Sequence, residues 1–314
     1  MKKNYFIAIA SLLTLAMQAQ KIEFTAPEAY PEGIAYDAKA KTYYVSSARL
    51  GTIGKVSPEG IYKEIYTSPD LKSSYGLKLH PDGKRLFVCI SDANHSKFSS
   101  LDTYRVMARL ISIDLQTGKK STDVDLSKLI PGKHFANDIA FDGAGNAYVT
   151  DSYANAVYKV EGNKASVFCK STLFVTQGTG LNGIVWSPDG YLIVASSGKG
   201  SLFKIDMKNP EAVEKIKVDQ FFPGADGLAW QGKELVLVQN GGVNKIFKLS
   251  SQDGWKTAKP VAATLSSALF AFPSTAAVDG DKVWIMNAKF HELTEKNNVP
   301  SKDFKIQQAV FKSL

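Results

Sequence analysis

Apolar residues in this chain come in short runs rather than in long helical stripes. From Leu181 to Ser197 the sequence LNGIVWSPDGYLIVASS reads as a polar loop, an apolar run at Ile184 to Trp186, a turn at Pro188-Asp189-Gly190 and a returning run at Tyr191 to Ala195. Short runs rich in β-branched and aromatic residues, punctuated by Pro, Asp and Gly, predict strands joined by tight turns. The same pattern recurs as PEGIAYD from Pro31, SYGLKLHPDGKRLFVCISD from Ser74, ANDIAFDGAGNAYVTDS from Ala136, ADGLAWQGKELVLVQN from Ala225 and PSTAAVDGDKVWIMN from Pro273. Measured at Gly33, Gly76, Asp138, Gly183, Gly227 and Thr275, the steps are 43, 62, 45, 44 and 48 residues. Six repeats of this length, each holding several short strands, predict an all-β, six-bladed β-propeller. The long second step contains a polar insertion, Asp92 to Arg105, of a length that connections in compact folds carry mainly for function.

Outside the repeats, Lys21 to Thr25 (KIEFT) alternates with period two and has no neighbouring partner. It is expected to close the ring by pairing into the last blade beside Phe304 to Phe311, which removes a raw sheet edge. Pro260 suits an outer edge strand. Ahead of these elements, Lys2-Lys3, the apolar stretch Tyr5 to Ala16 and the small residue Ala19 read as a signal peptide over residues 1–19. The rest, residues 20–314, reads as a single domain, expected to be exported to the periplasm or secreted, with no stable membrane anchor after cleavage.

Composition changes this picture little. The net charge is +8, or +6 without Lys2 and Lys3, and the lysines are scattered singly with no aromatic interleaving, so nucleic acid is not an expected partner. The two cysteines, Cys89 and Cys169, fall in different repeats and are expected as buried free thiols.

Candidate chemistry comes from aligning the repeats. One column, placed just before each innermost strand, holds Glu32, Tyr75, Asn137, Asn182, Asp226 and Ser274. Equivalent positions in a propeller converge on its axis, so two carboxylates and two amide oxygens would meet there. Hard oxygen donors suit Ca²⁺, and the absence of His and Cys from the column argues against Zn²⁺ as the native ion.

These residues carry a resemblance. PEGIAY with Glu32, FAND with Asn137, LNGIVW with Asn182 and ADGLAW with Asp226 resemble the senescence marker protein/regucalcin/gluconolactonase family of six-bladed propellers. The resemblance implies that Glu32, Asn182 and Asp226 bind one divalent metal ion, Ca²⁺ or alternatively Zn²⁺, Mn²⁺ or Mg²⁺. It implies that Asn137 lies beside the metal and the substrate, and that Asp226 also serves as general base. It further implies hydrolysis of a small-molecule lactone or related ester. The family's sugar-lactone enzymes often carry Arg two residues before the third-blade Asn, where this chain has Phe135.

Further candidates near the mouth of the site are His134, Phe135, Asp151 and Asn240, with Arg105 of the insertion as a stand-in for the missing arginine. The insertion is read as a possible lid that brings His95, Lys97, Tyr104 or Arg105 over the opening. There is no G-x-S-x-G and no phosphate loop. Two rival readings stand beside the hydrolase: a non-catalytic propeller that binds a sugar or protein around a structural ion, and an esterase or phosphotriesterase-type propeller with two axial calcium ions.

Overall fold

The computed structural model describes residues 19–265, 267–295 and 299–314. The predicted signal peptide therefore lies, Ala19 apart, outside the described residues. Six antiparallel sheets follow one another along the chain and form a six-bladed propeller; four are built outward strictly in sequence order, and the last two also take an outer strand from a chain terminus. Their innermost strands are Ile34–Asp37, Ser73–Leu79, Ala136–Phe141, Leu181–Ser187, Ala225–Gln231 and Pro273–Asp279. Among the described residues the only helical segments are three short 3-10 turns, and no helix is long and apolar enough to cross a membrane.

The second strand of each blade is packed on both faces by neighbouring blades. It is therefore a continuous apolar run rather than an alternating one, as in Leu86 to Ile90, Leu192 to Ala195 and Leu235 to Val238, all buried. Cys89 lies in such a strand, and both cysteines are buried free thiols, as expected.

Blades meet most closely at the axis, where the repeat carries glycine. A Cβ on Gly33 would stand 2.5 Å from the Tyr75 carbonyl oxygen, on Gly76 2.4 Å from that of Asn137, on Gly183 2.3 Å from that of Asp226, and on Gly227 2.7 Å from that of Ser274. These glycines are needed for close backbone approach between blades, not for an unusual φ. Where the repeat departs from glycine, side chains make the link: the Thr150 hydroxyl donates to the Asn182 carbonyl at 2.7 Å, and the Ser274 hydroxyl to the Glu32 carbonyl at 2.6 Å.

Lys21–Thr25 pairs antiparallel with Asp303–Ala309, from Lys21 opposite Gln307 to Thr25 opposite Asp303, so the N-terminal strand completes the last blade. Its alternation is explained by Ile22 and Phe24, which face the core while their neighbours face solvent. The final strand differs from expectation. It breaks after Ala309, and Phe311–Ser313 crosses to blade five, where it pairs with the outer strand Lys259–Thr264. That strand is thus covered over Ala262 to Thr264, and Pro260 sits just outside the covered stretch.

Candidate metal centre

The aligned column lies inside the innermost strands rather than ahead of them in five blades. In each of these the register with the second strand slips between the first residues and the remainder: between Ser74 and Leu77, Ala136 and Ile139, Leu181 and Ile184, Ala225 and Leu228, and Pro273 and Ala276. The column residues occupy these bulges. A bulge frees one residue from the ladder and re-aims its side chain, here toward the axis. In blade one Glu32 precedes the strand, and the adjoining Gly33 N–H donates to the Ser46 hydroxyl at 2.7 Å.

Glu32, Asn137, Asn182 and Asp226 line one cavity of about 240 Å³ at this end of the axis, together with Tyr75 and Asn240. They are 5%, 2%, 7% and 6% exposed. Their hydrogen bonds are unbalanced in a consistent way. The Asn137 amide nitrogen donates to the Ser152 hydroxyl at 3.0 Å, and that of Asn182 to the Ser197 hydroxyl at 3.1 Å. These hydroxyls in turn donate to the carbonyls of Leu181 and Ala225 in the next blade. The Asn240 amide donates to Asp226 Oδ2. Each amide is thus held by its nitrogen. Three buried oxygens, Glu32 Oε2, Asn137 Oδ1 and Asp226 Oδ1, have no hydrogen-bond partner. Buried acceptors without donors are costly, and several converging on one cavity are the arrangement that a cation satisfies.

Electrostatics points the same way. Burial, and then the charges of Asp226 and Asp138, push the Glu32 carboxyl well above its ordinary range. Asp226 is also raised well above its usual value by burial and by Asp138, against the opposing hydrogen bonds from the Asn182 and Asn240 amides. Asp138 is raised by burial, which Lys78 partly offsets. Like charges gathered in a dry site disfavour ionisation, and a divalent cation reverses that balance. Among the described residues no group of three or more His, Cys, Asp or Glu is arranged to hold a metal ion. Any ion here must therefore draw on the amide oxygens, and that mixture of donors fits Ca²⁺.

The other sequence candidates separate. Phe135 and Asn240 line the cavity. His134 and Asp151 do not; they form a buried pair at 2.7 Å that holds the chain together behind it. Asp151 Oδ1 accepts from the N–H groups of Phe135, Tyr153 and Ala154, and Oδ2 accepts from Tyr158. Its capacity is spent on positioning Phe135. Arg105 lies in an adjoining depression with Tyr153 and Lys133, stacks on Tyr104 and Tyr153, and donates to Asn94 Oδ1 at 2.8 Å. It does not reach the cavity floor, so it does not replace an arginine at position 135. Within the insertion Asn94 and His95 line the cavity, while Lys97 is drawn outward to Glu28 at 2.7 Å.

Four contributors were not singled out by the sequence. Asp138 follows Asn137 in the position where Gly33, Gly76, Gly183 and Gly227 stand, and a lone carboxylate in a glycine column was the available signal. Ser152 is the third-blade counterpart of Ser197. Phe272 and Phe290 come from loops of blade six, whose place at the mouth no local pattern announces.

No protein-family model matches the chain, and no curated protein matches it. Solved structures do. The Malassezia sympodialis allergen Mala s 1 superposes with a TM-score of 0.75 at 20% identity, over 93% of this chain and 96% of its own. A luciferin-regenerating enzyme gives a TM-score of 0.64 at 15% identity, over 94% and 97%. Regucalcin of Agrobacterium tumefaciens, described as a calcium-binding protein, gives 0.59 at 14% identity, over 90% and 92%. At these identities the shared property is the fold. The resemblance to the senescence marker protein/regucalcin/gluconolactonase propellers thus extends from motif to architecture.

Proposed function

We propose that this chain is an exported, divalent-metal-dependent hydrolase that opens a lactone or related ester at the axial cavity. The observation that carries this reading is the set of buried, unpartnered oxygens of Glu32, Asn137 and Asp226 in one cavity. Glu32, Asn182 and Asp226 would hold the ion, with Asn137 beside it. When bound, a divalent cation would supply Lewis acidity toward a carbonyl oxygen of the substrate.

The chain's own residues would do the rest. Asn240 fixes Oδ2 of Asp226 and leaves Oδ1 facing the cavity, where it can take a proton from water. His95 is a second acceptor. Burial pushes its imidazole down to about 4, so it is neutral at physiological pH, and its Nδ1 has no partner. The serine-anchored amides keep Asn137 and Asn182 oriented without reorganisation.

The test is hydrolysis of a panel of lactones and esters with added Ca²⁺, Mn²⁺ or Zn²⁺. Metal-dependent turnover that falls at least about a hundredfold in Asp226→Asn and Glu32→Gln is expected, in line with the loss of a principal catalytic group. Turnover unchanged in both variants rejects the assignment. A second reading, a ligand-binding propeller with a structural ion, draws support from the absence of Lys and Arg from the cavity lining. Tight ligand binding with no turnover across the panel would favour it.

A further inference from the structure

The axial cavity has two unlike halves. Its polar side holds Glu32, Asn137, Asn182 and Asp226 at the axis, with Ser197 and Asn240 of blades four and five beside them. The facing side is an arc of rings in mutual contact. Phe135 meets Tyr75 edge-on at 4.5 Å between centroids, Tyr75 lies 6.4 Å from His95, His95 stacks on Phe290 at 4.1 Å and 23°, and Phe290 lies 5.4 Å from Phe272. All five line the cavity, and no Lys or Arg does.

The arc is assembled rather than incidental. Asp151 holds the Phe135 backbone through its N–H. His95 is carried by an insertion that is tied down on both sides: the Ser96 hydroxyl donates to the Lys72 carbonyl at 2.6 Å, the Lys97 N–H to the Arg49 carbonyl at 2.8 Å, and the Asn94 amide to the Tyr153 hydroxyl at 2.9 Å. In this arrangement the insertion forms one wall of the cavity. In that wall His95 Nδ1 is buried and makes no hydrogen bond. It is a polar point that a bound molecule would satisfy.

Resting on the hydrolase reading of the same site, we infer that the substrate is an uncharged, planar apolar molecule, an aryl lactone or aryl ester, and not a polyhydroxylated sugar lactone. One face of an aryl ring stacks against the arc while the ester oxygens turn toward the polar half. A polyol would leave several hydroxyls buried against aromatic carbon, and each unpaired hydroxyl costs affinity. An anionic substrate would find no Lys or Arg in the lining to pair with.

The test uses stable isosteres, so that binding is read apart from turnover. Calcium-loaded full-length protein is titrated calorimetrically with 3,4-dihydro-2-quinolinone, the lactam of an aryl lactone, and with glucono-1,5-lactam. The aryl lactam is expected to bind at least tenfold more tightly. Phe290→Leu, which keeps apolar volume but removes the stacking face, is expected to weaken it at least fivefold with Ca²⁺ affinity unchanged. Phe135→Leu is the parallel variant if Phe290→Leu fails to fold. Equal or tighter binding of the sugar lactam, or aryl binding indifferent to both variants, overturns the inference. If the aryl lactam binds and no ester is cleaved, the slot stands and the hydrolase reading falls. If esters are cleaved without preference for aryl groups, the reverse holds.

Discussion

At the scale of single residues, the axial site is an arrangement kept at a cost to the metal-free protein. Glu32, Asp138 and Asp226 repel one another in a buried space, so removing one charge relieves the fold while it damages the site. Asp226→Asn is therefore expected to stabilise the metal-free protein, by about 1–3 kcal/mol on the scale of a buried uncompensated polar group. The same variant should lose most of the stabilisation that added Ca²⁺ gives the wild type. Thermal melts with and without Ca²⁺ measure both; a metal-free variant less stable than wild type would count against the repulsion. His134 supplies the contrasting case. Burial alone would depress its imidazole, but the hydrogen bond and charge of Asp151 override this and raise it above its ordinary value. The ring nitrogens face a carboxylate and the Ile130 carbonyl at 2.7 and 2.8 Å, both acceptors, which suits the doubly protonated form. A raised histidine contributes stability that is complete below about pH 6.5 and is lost as pH rises through the folded value. Melting temperature should fall across that alkaline side in the wild type, and His134→Gln should remove this component while costing about 3–5 kcal/mol for the broken buried pair. A pH profile of the same shape in His134→Gln would show that other groups cause it.

The residues found by sequence alone were those that repeat. Glu32, Asn137, Asn182 and Asp226 stand at one register of a periodic pattern, so periodicity and convergence were enough to bring them together. His134 and Asp151 looked alike from that distance, because a polar residue at a strand end reads the same whether it faces a cavity or a buried partner. The structure separates them by hydrogen bonding: Asp151 has its acceptors filled, whereas Asp226 keeps one oxygen bare.

At the scale of elements, the insertion after Asp92 is the part of the chain least legible beforehand. Its length and polarity marked it as functional, yet its composition suits a solvated loop equally well. Its order comes from Asp92, whose Oδ2 accepts from the Ser99 and Thr103 hydroxyls and the Ser100 N–H. Hydrogen bonds to a charged acceptor contribute about 1.5–3 kcal/mol each. Asp92→Ala is expected to lower hydrogen-exchange protection of residues 94–104 by at least about tenfold, with smaller effects elsewhere, since opening is local where few apolar contacts hold a segment. Unchanged protection there would mean that packing against Phe290 fixes the insertion instead. The bulges are the other element-scale lesson. Sequence placed the column before the strands, because Asn-Gly and Asp-Gly are turn signals; in the structure they lie within strands, where the neighbouring blade's backbone leaves no room for a Cβ on the glycine.

At the scale of the whole molecule, the fold was legible because the repeat is written six times and the closing strand has its own alternation. The ring depends on that strand. Phe24 is buried between Tyr62 of blade one and Phe304 of blade six, with centroids 6.0 and 6.2 Å away. Phe24→Ala is expected to cost about 3–5 kcal/mol, read as a lower denaturation midpoint with the slope retained; a loss under about 1 kcal/mol, the level of a surface change, would mean that the ring closes without it. The crossing of Phe311–Ser313 to blade five was not legible, since three residues after a strand break carry too little pattern to name a partner. Closure bears on the proposed metal site because it brings Glu32, near the N-terminal end of the ring, into one cavity with Asn182 and Asp226. The most direct measurement of the account is calorimetric titration of metal-stripped, full-length protein with Ca²⁺. One ion per chain is predicted, with affinity lowered at least about a hundredfold in Glu32→Gln and in Asp226→Asn, as befits the loss of a charged ligand. No binding, or binding that both variants leave intact, would contradict it.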